Sequence, residues 1–74
     1  MDEKKDVSFE ILQHLGTLYE GSKKVKELNI VKWGDNDPKF DLRTWEKDHS
    51  KAGRGITLSA GELQKLKEIL DGMS

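Results

Sequence analysis

At the start of the chain Val7, Phe9 and Ile11 alternate with Ser8 and Glu10, and a period of two predicts a half-buried β-strand. Leu12, Leu15 and Leu18 blur that period and also fit a helix. Gly16, Thr17 and Tyr19 favour a long, bent strand, with Gly16 at a bend or bulge. Glu20-Gly21-Ser22 reads as a turn. A second strand is predicted from Lys24 to Trp33. Lys26, Leu28, Ile30 and Lys32 lie on one side of it, and Val25, Glu27, Asn29, Val31 and Trp33 on the other. Gly34-Asp35-Asn36-Asp37-Pro38 is the strongest turn signal in the chain. A third strand follows from Lys39 to Glu46, setting Phe40, Leu42 and Thr44 against Asp41, Arg43 and Trp45. The second and third strands therefore form a hairpin.

Residues 47–55 are polar and contain glycine, which predicts a mobile loop, and residues 55–58 form a short fourth strand. Ser59-Ala60-Gly61-Glu62 has the capping-box form, a Ser N-cap with Glu three residues on. The helix it starts runs to about Asp71. Leu63, Leu66, Leu70 and Met73 recur at helical spacing with Ile69 widening the stripe, and Gly72 suits the stop. Four strands and then one helix predict an α+β, two-layer unit with an antiparallel sheet. A helix of about twelve residues is about 18 Å long and covers one sheet face. Leu28, Ile30, Phe40, Leu42, Ile56 and Leu58 are expected beneath it. The opposite face, with Trp33, Arg43 and Trp45, is expected to stand open.

The chain has 74 residues, a mass of 8.4 kDa and no cysteine, the size of one small domain. The expected division is a disordered polar segment at 1–6 and one domain at 7–74. Without disulfides, a second copy is the expected reinforcement. No apolar run approaches the roughly 20 residues of a membrane span, and the charged N-terminus does not read as a secretion signal. A cytoplasmic protein, with nucleoid association open to it, is expected.

The formal net charge of -1 conceals a basic middle. Residues 21–54 hold nine Lys or Arg against six Asp or Glu, and they also hold both Trp residues. Local sign governs phosphate contact more than the total does. Trp33 and Trp45 on an open sheet face suit a stacking platform for unpaired bases. Duplex DNA hides its base faces, so such a platform prefers single strands. Alternatively, the two Trp brace the hairpin as a cross-strand pair or fill a dimer interface. Enzymatic chemistry is not expected. His14 and His49 read as isolated surface residues, Asp48-His49-Ser50 cannot form a triad from consecutive positions, and neither a metal nor a cofactor is expected.

Lys39-Phe40-Asp41-Leu42-Arg43-Thr44-Trp45, followed after a loop by Gly53-Arg54-Gly55-Ile56-Thr57-Leu58-Ser59, resembles the positive cofactor four family of transcriptional coactivators, specifically its small bacterial YdbC-like branch. The resemblance covers residues 24–72 well and 7–23 more loosely. It implies a homodimer of strongly curved four-stranded sheets, each backed by a helix, that binds single-stranded DNA with little sequence preference. It also implies contacts from Trp33, Arg43, Trp45 and Arg54. Lys24, Lys26, Lys32 and Lys51 are further candidates for phosphate, Lys26 and Lys32 only if sheet twist or an edge position turns them outward. Asp41 is placed to orient Arg43. The competing readings are an RNA-binding protein and a protein-interaction module that uses the Trp-bearing face. No membrane or small-molecule substrate is expected as a partner.

Overall fold

The structure is a computed structural model and describes residues 8–73. The disorder expected at 1–6 and the strand start expected at Val7 lie outside the described residues. Four strands, β1 (Phe9–Glu20), β2 (Lys24–Trp33), β3 (Lys39–Glu46) and β4 (Ala52–Leu58), precede one helix, α1 (Ala60–Asp71). The strands pair antiparallel in the order β1-β2-β3-β4, an up-and-down meander. The α+β class and the β2–β3 hairpin are as the alternation predicts.

Three departures matter for the site. First, β1 slips in register between Ile11 and Gln13, between His14 and Gly16, and between Thr17 and Tyr19. The bend expected at Gly16 is therefore one of three. Each irregularity adds local twist, so β1 can follow a curved partner.

Second, β4 begins at Ala52 and not near Gly55, so the loop is shorter than expected. Glycine disfavours strands on propensity, which is why 52–54 read as loop. Here the glycines allow close approach. A Cβ on Gly55 would collide with Arg43 and the Leu42 carbonyl, and one on Gly53 would press on the Thr44 carbonyl.

Third, the two sheet faces are not divided as expected. Val25, Val31 and Trp45 are buried, as are Glu27, Asn29 and Asp41, and all six belong to the face expected to stand open. The cause is curvature. Val25 pairs with Trp45, whereas Trp33, at the far end of β2, pairs with Phe9. In a straight strand, residues 25 and 33 lie about 26 Å apart. Yet the rings of Trp33 and Trp45 lie 6.3 Å apart, and Phe9 reaches Trp45 at 5.1 Å. The sheet therefore coils until its opposite ends meet, with the Trp-bearing face inside the curve.

Helix α1 touches only β3 and β4, and Leu63, Leu66 and Leu70 line an open groove shared with Leu28 and Phe40. The close cover expected over Leu28, Ile30, Phe40, Leu42, Ile56 and Leu58 is therefore not formed within one chain, and Ile56 stays exposed. Its capping box is complete: the Ser59 hydroxyl accepts from Glu62 N at 3.1 Å, and the Glu62 carboxylate accepts from Ser59 N at 2.9 Å. No helix residue is buried, and Ile69, Leu70 and Met73 are exposed along with Leu12, Leu15, Leu18 and Ile56.

Candidate nucleic-acid interface

Curvature assembles an aromatic cluster from three strands. Trp33 and Trp45 are stacked at an interplanar angle of 5°, and Phe9 leans on both. The stack joins residues that are not cross-strand partners, so it closes the curve of the sheet and does not brace one hairpin pair. Trp45 has no exposed surface, which corrects the expectation that its ring lies on an open face. Trp33 is half-buried and forms the accessible end of the stack. Neither indole N–H has a hydrogen-bond acceptor among the described residues.

Arg43 caps this end. Its guanidinium carbon lies 4.7 Å from the Trp33 ring centroid, within cation–π range. Nε donates to Asp41 Oδ1 at 2.8 Å, Nη2 donates to Asp41 Oδ2 at 2.9 Å, and Nη1 donates to the Gly53 carbonyl at 2.9 Å. Asp41 is completely buried, and the bidentate pair supplies the compensation that a buried carboxylate needs. The orienting role expected of Asp41 is thus realised, and Gly53 provides a second anchor. A guanidinium has five N–H groups. These bonds leave one on each terminal nitrogen to face a ligand.

Trp33 and Arg43 form a ridge between two hollows. One is lined by Phe9, Ser50, Lys51, Ala52 and Gly53, and the other by Asn36, Asp37, Lys39 and Thr57. Lys51 is therefore brought to the ridge. Lys26 and Arg54 share a neighbouring groove with Thr44 and Ile56, which Arg43 also borders. Both are exposed, and Lys26 stays on the outer face of β2. Lys24 is tied to Glu46 at 2.6 Å, and Lys32 donates to the Gly34 carbonyl at 2.9 Å beside Ser8 and Phe9. The structure brings Trp33, Arg43 and Lys51 together, sets Lys26 with Arg54, and keeps Lys24 and Lys32 apart from both groups.

Sequence reasoning missed Phe9 and Gly53. It took Phe9 for one more apolar position of an alternating strand, and nothing local marks a residue whose partner lies at the other end of a coiled sheet. It also took His14 and His49 for isolated residues. Both converge on Glu27, His49 Nε2 at 2.9 Å and His14 Nδ1 at 3.7 Å. Burial pushes the Glu27 carboxyl up, but hydrogen bonds from Asn29 and His49 and the nearby imidazole charge outweigh it and hold it below its usual range.

Among the described residues no group of three or more His, Cys, Asp or Glu is placed to hold a metal ion, and no helix is long and apolar enough to cross a membrane. The described residues thus form a coiled four-stranded sheet with an arginine-capped aromatic ridge, followed by one helix. Residues 21–69 match the family described as Transcriptional Coactivator p15 (PC4), and the chain belongs to that family, which binds nucleic acid and is not enzymatic. The chain is also similar to an uncharacterized protein of Treponema pallidum (strain Nichols), with 36% identity over 70 residues that cover 93% of this chain and 82% of the relative.

Proposed function

We propose that the protein binds single-stranded DNA without sequence preference, as a homodimer, in transcription, replication or repair in the bacterial cytoplasm or nucleoid. The observation that carries this reading is the fixed guanidinium of Arg43 against Trp33, with a hollow on each side. Bases stack on the Arg43 guanidinium plane that covers Trp33, and Trp45 backs that ring from inside the curve. The free N–H groups of Arg43 and the ammonium of Lys51 take the phosphates on either side. Arg54 and Lys26 extend the basic track along the neighbouring groove, and Lys24 and Lys32 lie at its periphery. Asp41 spends its charge on Arg43, so its repulsion of phosphate is small.

A base offers a flat π-face only when it is unpaired, and each stacked base contributes about 1–3 kcal/mol. This favours single strands over duplex. The test is a titration of a fluorescently labelled oligothymidylate, its duplex with oligoadenylate and the matching uridylate, each at several salt concentrations. Tighter binding of the DNA single strand, weakening steeply with salt, is expected. Equal or tighter binding of the RNA would move the assignment to RNA. Binding of none of the three would leave the ridge to a protein partner.

A further inference from the structure

The polar residues inside the curved sheet form one connected chain. Thr17 Oγ1 lies 3.2 Å from His14 Nε2, and His14 Nδ1 lies 2.7 Å from Asn29 Oδ1. Asn29 Nδ2 donates to Glu27 Oε1 at 3.0 Å, and His49 Nε2 lies 2.9 Å from the same oxygen. The chain fixes the proton positions. Asn29 Oδ1 can only accept, so His14 Nδ1 carries a proton. Glu27 likewise only accepts, so His49 Nε2 carries one. When His14 is neutral, Thr17 donates to Nε2. When it is charged, the direction of that bond reverses. Both states of His14 are thus satisfied, and the network can take up a proton without breaking.

The chain joins β1, β2 and the loop at 47–51. His49 is the only non-glycine residue with positive φ among the described residues, at 61°, a conformation that carries a steric cost for a branched ring. Three contacts offset that cost. Its N–H donates to the Glu46 carbonyl at 2.8 Å, its ring packs 5.6 Å from the buried Trp45 ring, and its Nε2 meets Glu27. The last two strengthen when the imidazole is charged. A charge-assisted hydrogen bond is roughly twice as strong as a neutral one, and an imidazolium gains cation–π attraction from an indole.

We propose that His14, Glu27 and His49 form a proton-sensitive clasp, which fixes the loop between β3 and β4 against the sheet when the imidazoles are charged and loosens it when they are neutral. The other charged groups around the clasp do not substitute for it. From β3, Arg43 stands opposite Glu27 but is turned to Asp41 and Gly53. On the loop, Asp48 is exposed and accepts from Ser50 N. From β1, Glu20 pairs with Lys47 at the rim. Glu27 is therefore the one buried carboxylate that both imidazoles face, and its ionised state below the usual carboxylate range keeps it available as their partner. Imidazoles ordinarily change charge between about pH 5 and 8, and the two here face one shared carboxylate. The loop also supplies Ser50 and Lys51 to the hollow beside Trp33, so the clasp sets the order of one wall of the interface.

The test uses the full chain without nucleic acid, so its outcome is independent of the proposed ligand. Backbone 15N relaxation is measured at pH 5.5 and 7.5. Order parameters of residues 48–51 are expected to fall from about 0.8 to below about 0.6 as pH rises, while those of β2 stay constant. In Glu27→Gln the two pH values should give the same loop order. His49→Gln, which leaves Glu27 its bond from Asn29, should give a loop flexible at both pH values, and it serves if Glu27→Gln does not fold. Loop order unchanged with pH in the parent, or changed equally in the folded variants, overturns the clasp.

Discussion

The Trp33 and Trp45 rings lie face to face, 6.3 Å apart and 5° from parallel, although they stand at opposite ends of the β2–β3 pairing. This contact is at once a packing contact and the foundation of the ridge. Its inner ring is completely covered, and its outer ring is capped by Arg43. The two residues therefore have separable roles, although both are tryptophans on the same side of the sheet.

Replacing each by alanine separates those roles. Trp45→Ala removes the largest fully buried side chain and should destabilise the fold by about 3–5 kcal/mol. Trp33→Ala should cost less stability, but it should weaken single-strand binding by about 1–3 kcal/mol while leaving the salt slope nearly unchanged. Urea unfolding and oligonucleotide titration of the two variants give the comparison. Equal binding by folded Trp33→Ala and the parent would remove stacking from the account.

Asp41 and Arg43 give a prediction in which charge and geometry point in opposite directions. Asp41→Asn removes a negative charge next to the proposed phosphate path, so a purely coulombic view expects tighter binding. The structure expects weaker binding, because the amide cannot hold the guanidinium in its bidentate position over Trp33. A several-fold rise in Kd for oligothymidylate is expected. Arg43→Ala should lower the salt slope by about 0.7, the increment for one phosphate on a single strand. A tighter-binding Asp41→Asn variant would show that the carboxylate acts only by repulsion.

The strands, the hairpin, the capping box and the family-like segment from Lys39 to Ser59 were legible because each rests on local rules: period two, turn chemistry and cap geometry. The direction of curvature was not. Alternation in β2 separates Leu28 and Ile30 from Val25, Val31 and Trp33, but both sets are apolar, and local pattern does not say which set lies inside a coiled sheet. Coiling is a long-range property that appears when Phe9 and Trp33 reach Trp45. The same property brought His14 and His49 to Glu27 from 13 and 22 positions away, as the pairing of Thr17 with Glu27 and the fold of the loop require. Trp33, Arg43 and Lys51 could be named from residue type. Gly53 and Phe9 could not, since a backbone carbonyl and one more apolar strand position carry no chemical signal.

Acid should weaken the fold through Glu27. Its carboxyl is held below the usual range in the folded chain, so ionisation favours folding. The contribution is fully present above the unfolded value near 4.5 and disappears as pH falls through the lower folded value. Stability of the parent, read as the urea midpoint, should therefore decline below about pH 4.5. Glu27→Gln should be less stable at pH 6 and should decline less on acidification. Parallel pH profiles for the two proteins would assign acid sensitivity to other carboxylates.

The helix provides the last prediction. Its stripe is amphipathic, yet no residue on it is buried, and Ile69, Leu70 and Met73 remain more than half exposed. Leu12, Leu18 and Ile56 add exposed apolar surface on the strands. Exposed apolar side chains in this number suit an association site, and a chain of 74 residues without disulfides has little core in reserve. A two-fold dimer that buries the helix stripe resolves both. Ile69→Glu and Leu70→Glu should shift the species seen by sedimentation from twice the 8.4 kDa chain mass towards the monomer and should lower the thermal midpoint. Lys65→Glu, on an exposed position paired only with Glu68, should do neither. If the parent sediments as a folded monomer at micromolar concentration, the dimer is wrong. The exposed helix stripe would then have to be explained by a different partner, and the single-strand ridge would have to function within one chain.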